Sequence, residues 1–265
     1  MPPLDPGTAE VPPLDGAGGG YLASAATSEE QIKAARDLWH WTYHLENGLP
    51  VNAPGRVAGF AQDADHLIVT DTSTGAVVGT CQLFEEGVVE QRFLLGLPRS
   101  VTSSMIQLGR FCVDPGHRSG AVFGLLAAEV GRYLVRSGHR YVVGCLNVFL
   151  PEGHDAALNM WELAVRDHAP PEGLSAEPRV PWDVPRDLAA APSYRALPPL
   201  ARFYLRCGVW ILGDPAYVKE VDSVCFCFLV DTDNAAPLLY RCYFPDGRGD
   251  RAVRPADGAT SVGRA

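Results

Sequence analysis

The sequence predicts an α/β (α+β) fold in which helices flank a mixed sheet. Three observations lead there. A chain of 265 residues with 47% hydrophobic content buries a sizeable core without disulfide staples. Its periodic segments run helix, hairpin, strand, helix, strand, helix, helix, strand, strand, an order that suits a mixed sheet with helical flanks. Proline and glycine gather at the start, where they make up ten of the first 20 residues, and no aromatic follows Phe244. The expected organisation is a disordered segment 1–26, one folded domain 27–244 and a flexible tail 245–265.

Each element has a local reason. Thr27 and Glu30 read as a capping box ahead of EEQIKAARDLWHWTYHLE, with Asn47-Gly48 as its stop. HLIVTD and AVVGTCQLF, joined by Thr72-Ser73-Thr74-Gly75, read as a hairpin. The strand SMIQLGRFCVD ends at Pro115-Gly116, and GAVFGLLAAEVGRYLVRSG follows as an amphipathic helix closed by Gly138. YVVGCLNVFL is a strand and HDAALNMWELAVRDH a helix. A Pro-rich connector spans about 169–192. LPPLARFYLRCG is then a short helix, and VWIL and SVCFCFLVD are strands.

Composition excludes several classes. A net charge of -9 argues against a general nucleic-acid binder. The balance is uneven, however: Arg92 to Arg140 holds seven arginines against Asp114 and Glu129, a local +5 in a chain whose remainder carries -14. Such an island suits a phosphate-bearing or acidic partner. No apolar run approaches the roughly 20 residues needed to cross a bilayer, and MPPLDPGTAE lacks the features of a secretory signal. The expected location is the cytoplasm. Seven scattered cysteines read as reduced core thiols, and the Cys225-x-Cys227 pair lacks a second ligand pair, so no metal is expected.

The most specific physical feature is the strand, the tight Pro115-Gly116-His117-Arg118-Ser119-Gly120 turn and the long helix after it. This arrangement offers main-chain N–H groups, a helix N-terminus and Arg118 to an anion such as a pyrophosphate or phosphopantetheine arm. On the first helix Trp39, Tyr43 and Glu46 are spaced to share a face. A carboxylate beside two rings is desolvated and raised toward the range useful for a base. Trp39, Trp41, Tyr43, Phe60 and Phe93 are candidates for lining an apolar channel or for filling the core.

Three stretches, DHLIVTDTSTGAVVGTCQLF, QLGRFCVDPGHRSG and LARFYLRCGVWILGDPAYVKEVDSVCFCFLVD, together with WTYHLENG on the first helix, resemble the GNAT superfamily. The likeness is to its ornithine-lipid N-acyltransferase, N-acyl amino acid synthase and acyl-homoserine-lactone synthase branch, in family order over roughly 27–231. The resemblance implies a splayed central sheet that holds a thioester donor, acyl-acyl carrier protein or acyl-CoA, and direct transfer of a fatty acyl group to the amine of an amino acid or peptide. Acyl carrier protein is the implied partner, and no permanently bound cofactor is implied. Two other readings stand beside this one: a short-chain acetyl-CoA-dependent acetyltransferase, and an inactive carrier-binding relative.

The resemblance also assigns roles. Main-chain N–H groups of Phe111, Cys112 and Val113 hold the oxyanion, and Arg118, Ser119 and Gly120 meet the donor's phosphate. Arg110, Glu46, Asp65 and Asp222 fall on family positions, whereas Gln107, Gln82 and Trp39 replace the acid and the two arginines of the family pattern. An amide cannot act as a base, so Gln107 is expected to orient the amine. Arg110 on a sheet face calls for a carboxylate, with Asp222 or Glu46 as the expected partner. Proton removal falls to Glu46, with His154 second and His44 and Asp222 behind them. Cys112 as a covalent nucleophile lacks an adjacent base.

Overall fold

The computed structural model describes residues 20–46, 64–85, 87, 89–150, 154–183 and 192–247, the side chains of 44–46 excepted, and sixteen helices and strands form among the described residues. They are β1 (Tyr21–Ala25), α1 (Glu29–Glu46), β2 (Asp65–Asp71), β3 (Val77–Phe84), β4 (Phe93–Gly96), α2 (Arg99–Thr102), β5 (Met105–Val113) and α3 (Ala121–Ser137). After these come β6 (Tyr141–Phe149), α4 (Asp155–Asp167), β7 (Ser175–Pro178), α5 (Pro199–Arg206), β8 (Trp210–Ile211), β9 (Ala216–Val218), β10 (Ser223–Asp231) and α6 (Pro237–Tyr243). The main sheet runs β1-β2-β3-β5-β6-β10-β8, with β9 also on β10. Its pairings are antiparallel except β5 with β6.

Several expectations meet corrections. Tyr21–Ala25, assigned to the disordered segment 1–26, is an edge strand on β2. The cap of α1 begins one residue later than Thr27. Ser28 Oγ accepts from the Gln31 N–H at 3.3 Å, and Gln31 Oε1 accepts from the Thr27 and Ser28 N–H groups at 2.8 and 3.3 Å. The Pro-rich connector contains β7, which pairs with β4 in a second small sheet, and α6 extends the fold beyond the last expected strand. The Asn47-Gly48 stop, Phe60 and most of both tails lie outside the described residues.

The hairpin forms as expected, with Asp71 Oδ1 accepting from the Ser73 N–H at 2.8 Å inside the turn. Gly138, at φ 76°, closes α3 through its N–H to the Leu134 carbonyl, a left-handed cap that glycine adopts without steric cost. Strand β10 is buried at all nine positions because it is covered on both faces. Val224, Phe226 and Phe228 join the larger core with α3 and α5, while Cys225, Cys227 and Leu229 join a smaller one with β4 and β9. Each fully buried Phe or Leu side chain contributes roughly 1.5–3 kcal/mol of transfer free energy.

Candidate active site

Strands β5 and β6 pair only from Met105–Tyr141 to Leu108–Gly144. Beyond that point β5 stays with β3 and β6 stays with β10. Main-chain groups on that edge of β5 therefore face an opening. A β-bulge accompanies the parting: Thr80 pairs with Cys112 and Gln82 with Gly109, two steps on β3 against three on β5. Arg110 is the extra residue and lies at φ 57°, a left-handed conformation that costs a non-glycine residue about 1–2 kcal/mol. The bulge switches the phase of the strand. Ile106 and Leu108 face the α3-side core before it, and Phe111 and Val113 pack against that core after it.

Arg110 is thereby directed to the α1 face, its guanidinium carbon 4.5 Å from the Trp39 ring centroid. Trp39 stacks on Tyr43 at 4.9 Å, and Tyr43 meets Phe149 edge-on at 5.5 Å. The cleft between the parted strands has a volume of about 710 Å³ and is lined by Trp39, Tyr43, Gln91, Arg92, Gln107, Arg110, Cys145, Asn147 and Tyr204, among others. Burial pushes the Arg110 pKa down to about 10, with Tyr43 opposing the shift and the like charge of Arg92 adding to it. Burial pushes the Tyr43 hydroxyl up to about 12, against the pull of Arg92 and Arg110. Two guanidiniums thus share one cleft and repel each other.

Gln107 is buried, and its amide is engaged on both sides. Its Oε1 accepts from the Val89 N–H at 2.9 Å, and its Nε2 donates to the two Glu90 oxygens at 2.8 and 2.7 Å. The loop before β4 therefore brings a carboxylate to the position where β5 carries an amide. Glu90 was not among the sequence candidates, because nothing local to it marks the contact.

The remaining candidates are distributed unevenly. Trp39, Tyr43, Gln107, Arg110 and Phe111 line the cleft. Asp222 does not pair with Arg110. It sits exposed in the turn before β10 at φ 45°, and its Oδ1 accepts from the Tyr217 hydroxyl at 2.9 Å. His154 is exposed beside the start of α4 and stacks on Trp182 at 6.0 Å, although Asp155 and Ala156 reach the cleft. The Glu46 and His44 side chains lie outside the described residues. Cys112 is buried, Phe93 is a fully buried core residue and Trp41 is 51% exposed, so none of the three lines the cleft.

At the turn after β5, Asp114 Oδ1 accepts from the Gly116 N–H at 2.8 Å, and the Arg118 guanidinium donates to the Val113 carbonyl at 3.0 and 3.1 Å. Ser119 is exposed, and Gly120, at φ 95°, leads into α3 without a side-chain cap. Three of the seven arginines of the basic island are paired with carboxylates. Arg132 and Arg136 bind Glu129 at 2.6 and 3.1 Å, and Arg140 binds Asp231 at 2.6 Å and Asp233 at 3.1 Å. Among the described residues no helix is long and apolar enough to cross a membrane, and no group of three or more His, Cys, Asp or Glu is arranged to hold a metal ion.

The family described as "Acetyltransferase (GNAT) domain" matches residues 44–128. Those residues are similar to a GNAT domain. The matched span runs from the end of α1 into α3 and so includes Gln107, the Arg110 bulge and the Arg118 turn. The chain is 31% identical over 179 residues to an L-ornithine N(alpha)-acyltransferase of Rhizobium meliloti (strain 1021), 59% of each protein. It is 26% identical over 240 residues to a protein of the same name from Brucella abortus (strain 2308), 77% of this chain and 82% of that one. The match to the Rhizobium protein spans less than two thirds of that relative's length. Among solved structures, FeeM, an N-acyl amino acid synthase from uncultured soil microbes, aligns over 84% of this chain and 96% of its own at 14% identity and a TM-score of 0.45.

Sequence reasoning missed four residues of this candidate site: Glu90, Arg92, Cys145 and Asn147. Asn147 carried a signal, a polar residue inside the apolar run YVVGCLNVFL that proves exposed in the middle of β6. Arg92 was visible only as part of the charge island, and Cys145 only as one more core thiol.

Proposed function

We propose that the protein is an N-acyltransferase that moves an acyl group from a phosphopantetheine thioester, carried by acyl carrier protein or coenzyme A, to the amine of an amino acid or peptide by direct attack. The observation that carries this reading is the parting of β5 and β6 at Leu108–Gly144 above a cleft lined by Arg92 and Arg110. A thioester arm laid along the freed edge of β5 takes the place of the missing strand. Main-chain N–H groups of Phe111 to Val113 then hold the oxyanion, at the position where charge develops in the tetrahedral intermediate.

The donor's phosphates are assigned to the Arg118-Ser119-Gly120 turn, where the uncapped N-terminus of α3 supplies N–H donors. The acceptor enters from the α1 side. Its carboxylate is assigned to Arg92 and Arg110, whose mutual repulsion an anion relieves. Gln107, held by Glu90 and Val89, orients the amine. Glu46, three residues after Tyr43 on α1, is assigned the proton, with His154 at the rim as second candidate.

The test is mass spectrometry of the full chain with acyl-carrier and acyl-CoA donors of several chain lengths and a panel of amines. Amide formation from long-chain donors supports the reading. Faster turnover of acetyl-CoA indicates a short-chain acetyltransferase, and silence with every donor indicates a protein that binds without catalysing.

A further inference from the structure

Three cysteines gather on one face of the sheet beside the cleft, and the chemistry proposed above uses none of them. Cys145 follows Gly144, the last β6 residue paired with β5, and so stands where the two strands part. It is half-buried and lines the cleft together with Gly109 and Arg110. Cys227 lies directly across from it on β10, and Cys225 is one face-neighbour along, opposite Asn147. Cys225 and Cys227 are sealed, at 0% and 1% exposure. Of the three thiols, Cys145 alone lines the cleft.

We propose that Cys145 is an acyl-accepting nucleophile: when the cleft holds a thioester donor and no amine, its thiol takes up the acyl group as an S-acylcysteine. The proposal rests on the N-acyltransferase reading, since it needs that donor in the cleft. The surroundings favour the thiolate, which is the reactive form. The neighbouring Cys225 thiol holds the Cys145 pKa below the usual thiol range, and Arg92 and Arg110 act in the same direction against burial and Glu90. Cys145 and burial raise Cys225 well above that range, which keeps this sealed thiol protonated.

The step balances without an added reagent. Cys145 Sγ attacks the donor carbonyl, a new C–S bond forms, and the C–S bond to pantetheine breaks. The departing pantetheine sulfur takes the proton that Cys145 gave up. When an amine arrives, a C–N bond forms, the C–Sγ bond breaks, and the Cys145 thiolate takes the proton that the amine loses. One thioester exchanges for another without a large change in free energy, whereas conversion to the amide runs downhill. The cleft thus holds one acyl group until an acceptor removes it.

The experiment incubates the full chain with octanoyl-CoA in the absence of amine and reads intact mass, with an amide assay run in parallel on the same preparation. The expected result is close to one acyl group per chain, released by neutral hydroxylamine, mapped by peptide analysis to Cys145 and missing from Cys145→Ser. Iodoacetamide without donor should label Cys145 ahead of the other six cysteines. Mapping in the parent protein keeps the test sound even if Cys145→Ser folds poorly. An adduct on a different residue, or preferred iodoacetamide labelling elsewhere, overturns the proposal. Amide product with no adduct overturns it too while leaving the N-acyltransferase reading intact; absence of both removes the two together.

Discussion

Replacing Arg92 with Gln tests the acceptor site directly. Arg92 is the better of the two guanidiniums to change, because Arg110 holds a left-handed bulge and packs on Trp39, so its loss would disturb the sheet. The main chain at Arg92 is anchored independently of the side chain: its N–H donates to the Val89 carbonyl at 2.9 Å, and its carbonyl accepts from the Arg179 N–H at 2.8 Å. Phe93, the next residue, is fully buried. If the acceptor carboxylate sits between Arg92 and Arg110, Arg92→Gln removes a charge-assisted hydrogen bond worth about 1.5–3 kcal/mol. At 1.4 kcal/mol per factor of ten, kcat/KM for an amino acid should fall by about 10- to 100-fold. The assay compares that amino acid with its carboxamide, which keeps the amine and loses the charge. The carboxamide should be used equally well by parent and variant. Arg92 lowers the Arg110 pKa through like-charge repulsion, so the variant without acceptor should melt no lower than the parent. An equal loss with both acceptors, or none with either, would refute the carboxylate assignment.

Gln107→Glu sets two carboxylates against each other where Gln107 Nε2 now donates to both Glu90 oxygens, which raises the pKa of the pair. The folded state then keeps a proton that the unfolded chain releases near pH 4.3. Stability relative to the parent should therefore decline from pH 5 to pH 8 in urea titrations, and a pH-independent difference would argue against the contact. His168, hydrogen-bonded through Nδ1 to the Val209 carbonyl and through Nε2 to Tyr194, has its pKa lowered by burial. Below about pH 6.5 the unfolded chain takes up a proton that folded His168 resists, so stability should drop as pH falls, and His168→Asn should flatten that slope. In Gly131→Ala the new methyl carbon would collide with the Tyr243 carbonyl oxygen, so α6 must shift off α3. Overpacking of about 1–3 kcal/mol should lower the melting temperature by several degrees. Charge reversal at Arg118 should weaken use of a carrier-bound donor more at low salt than at 0.1 M, where screening acts over about 10 Å. Reversal at Arg136, which binds Glu129, should cost stability with either donor instead.

The hairpin β2–β3, helix α3 and strand β10 were legible because each is specified locally: Thr74-Gly75 closes a turn, Gly138 closes a helix, and SVCFCFLVD is apolar enough to be covered on both faces. The strands missed are those whose partners supply the signal. YLASA in β1 has no clear alternation, and β4 and β7 are four-residue segments held by each other, one ending in Pro178. The site divides in the same way. Trp39 and Tyr43 were readable from helical spacing, whereas Glu90 reaches Gln107 across 17 residues of chain. Asp222 was misplaced because an expected ion pair was inferred from charge alone. Its turn hands the carboxylate to Tyr217, five residues before it.

The Arg110 bulge explains why a strand that reads as one continuous apolar run performs two tasks. Up to Leu108, β5 packs tightly on β6. A side chain at Gly144 would lie 2.6 Å from the Leu108 carbonyl and from the Phe228 ring, so only glycine permits that approach. One residue beyond Gly109 the extra residue shifts the pleat by one position. Without it, strict alternation would place Arg110 on the face of Ile106 and Leu108, inside an apolar core where an unpaired guanidinium is costly. With it, Phe111 and Val113 fill that core, and Arg110 goes to the Trp39 face. The left-handed residue therefore keeps the core apolar, aims a cation into the cleft and falls within two residues of the point where β6 departs. Pairing β6 to the end of β5 would bury the freed edge, and the main-chain donors proposed to hold the oxyanion would be spent on a ladder. The opening between the strands follows from a tight glycine contact set directly before a bulge.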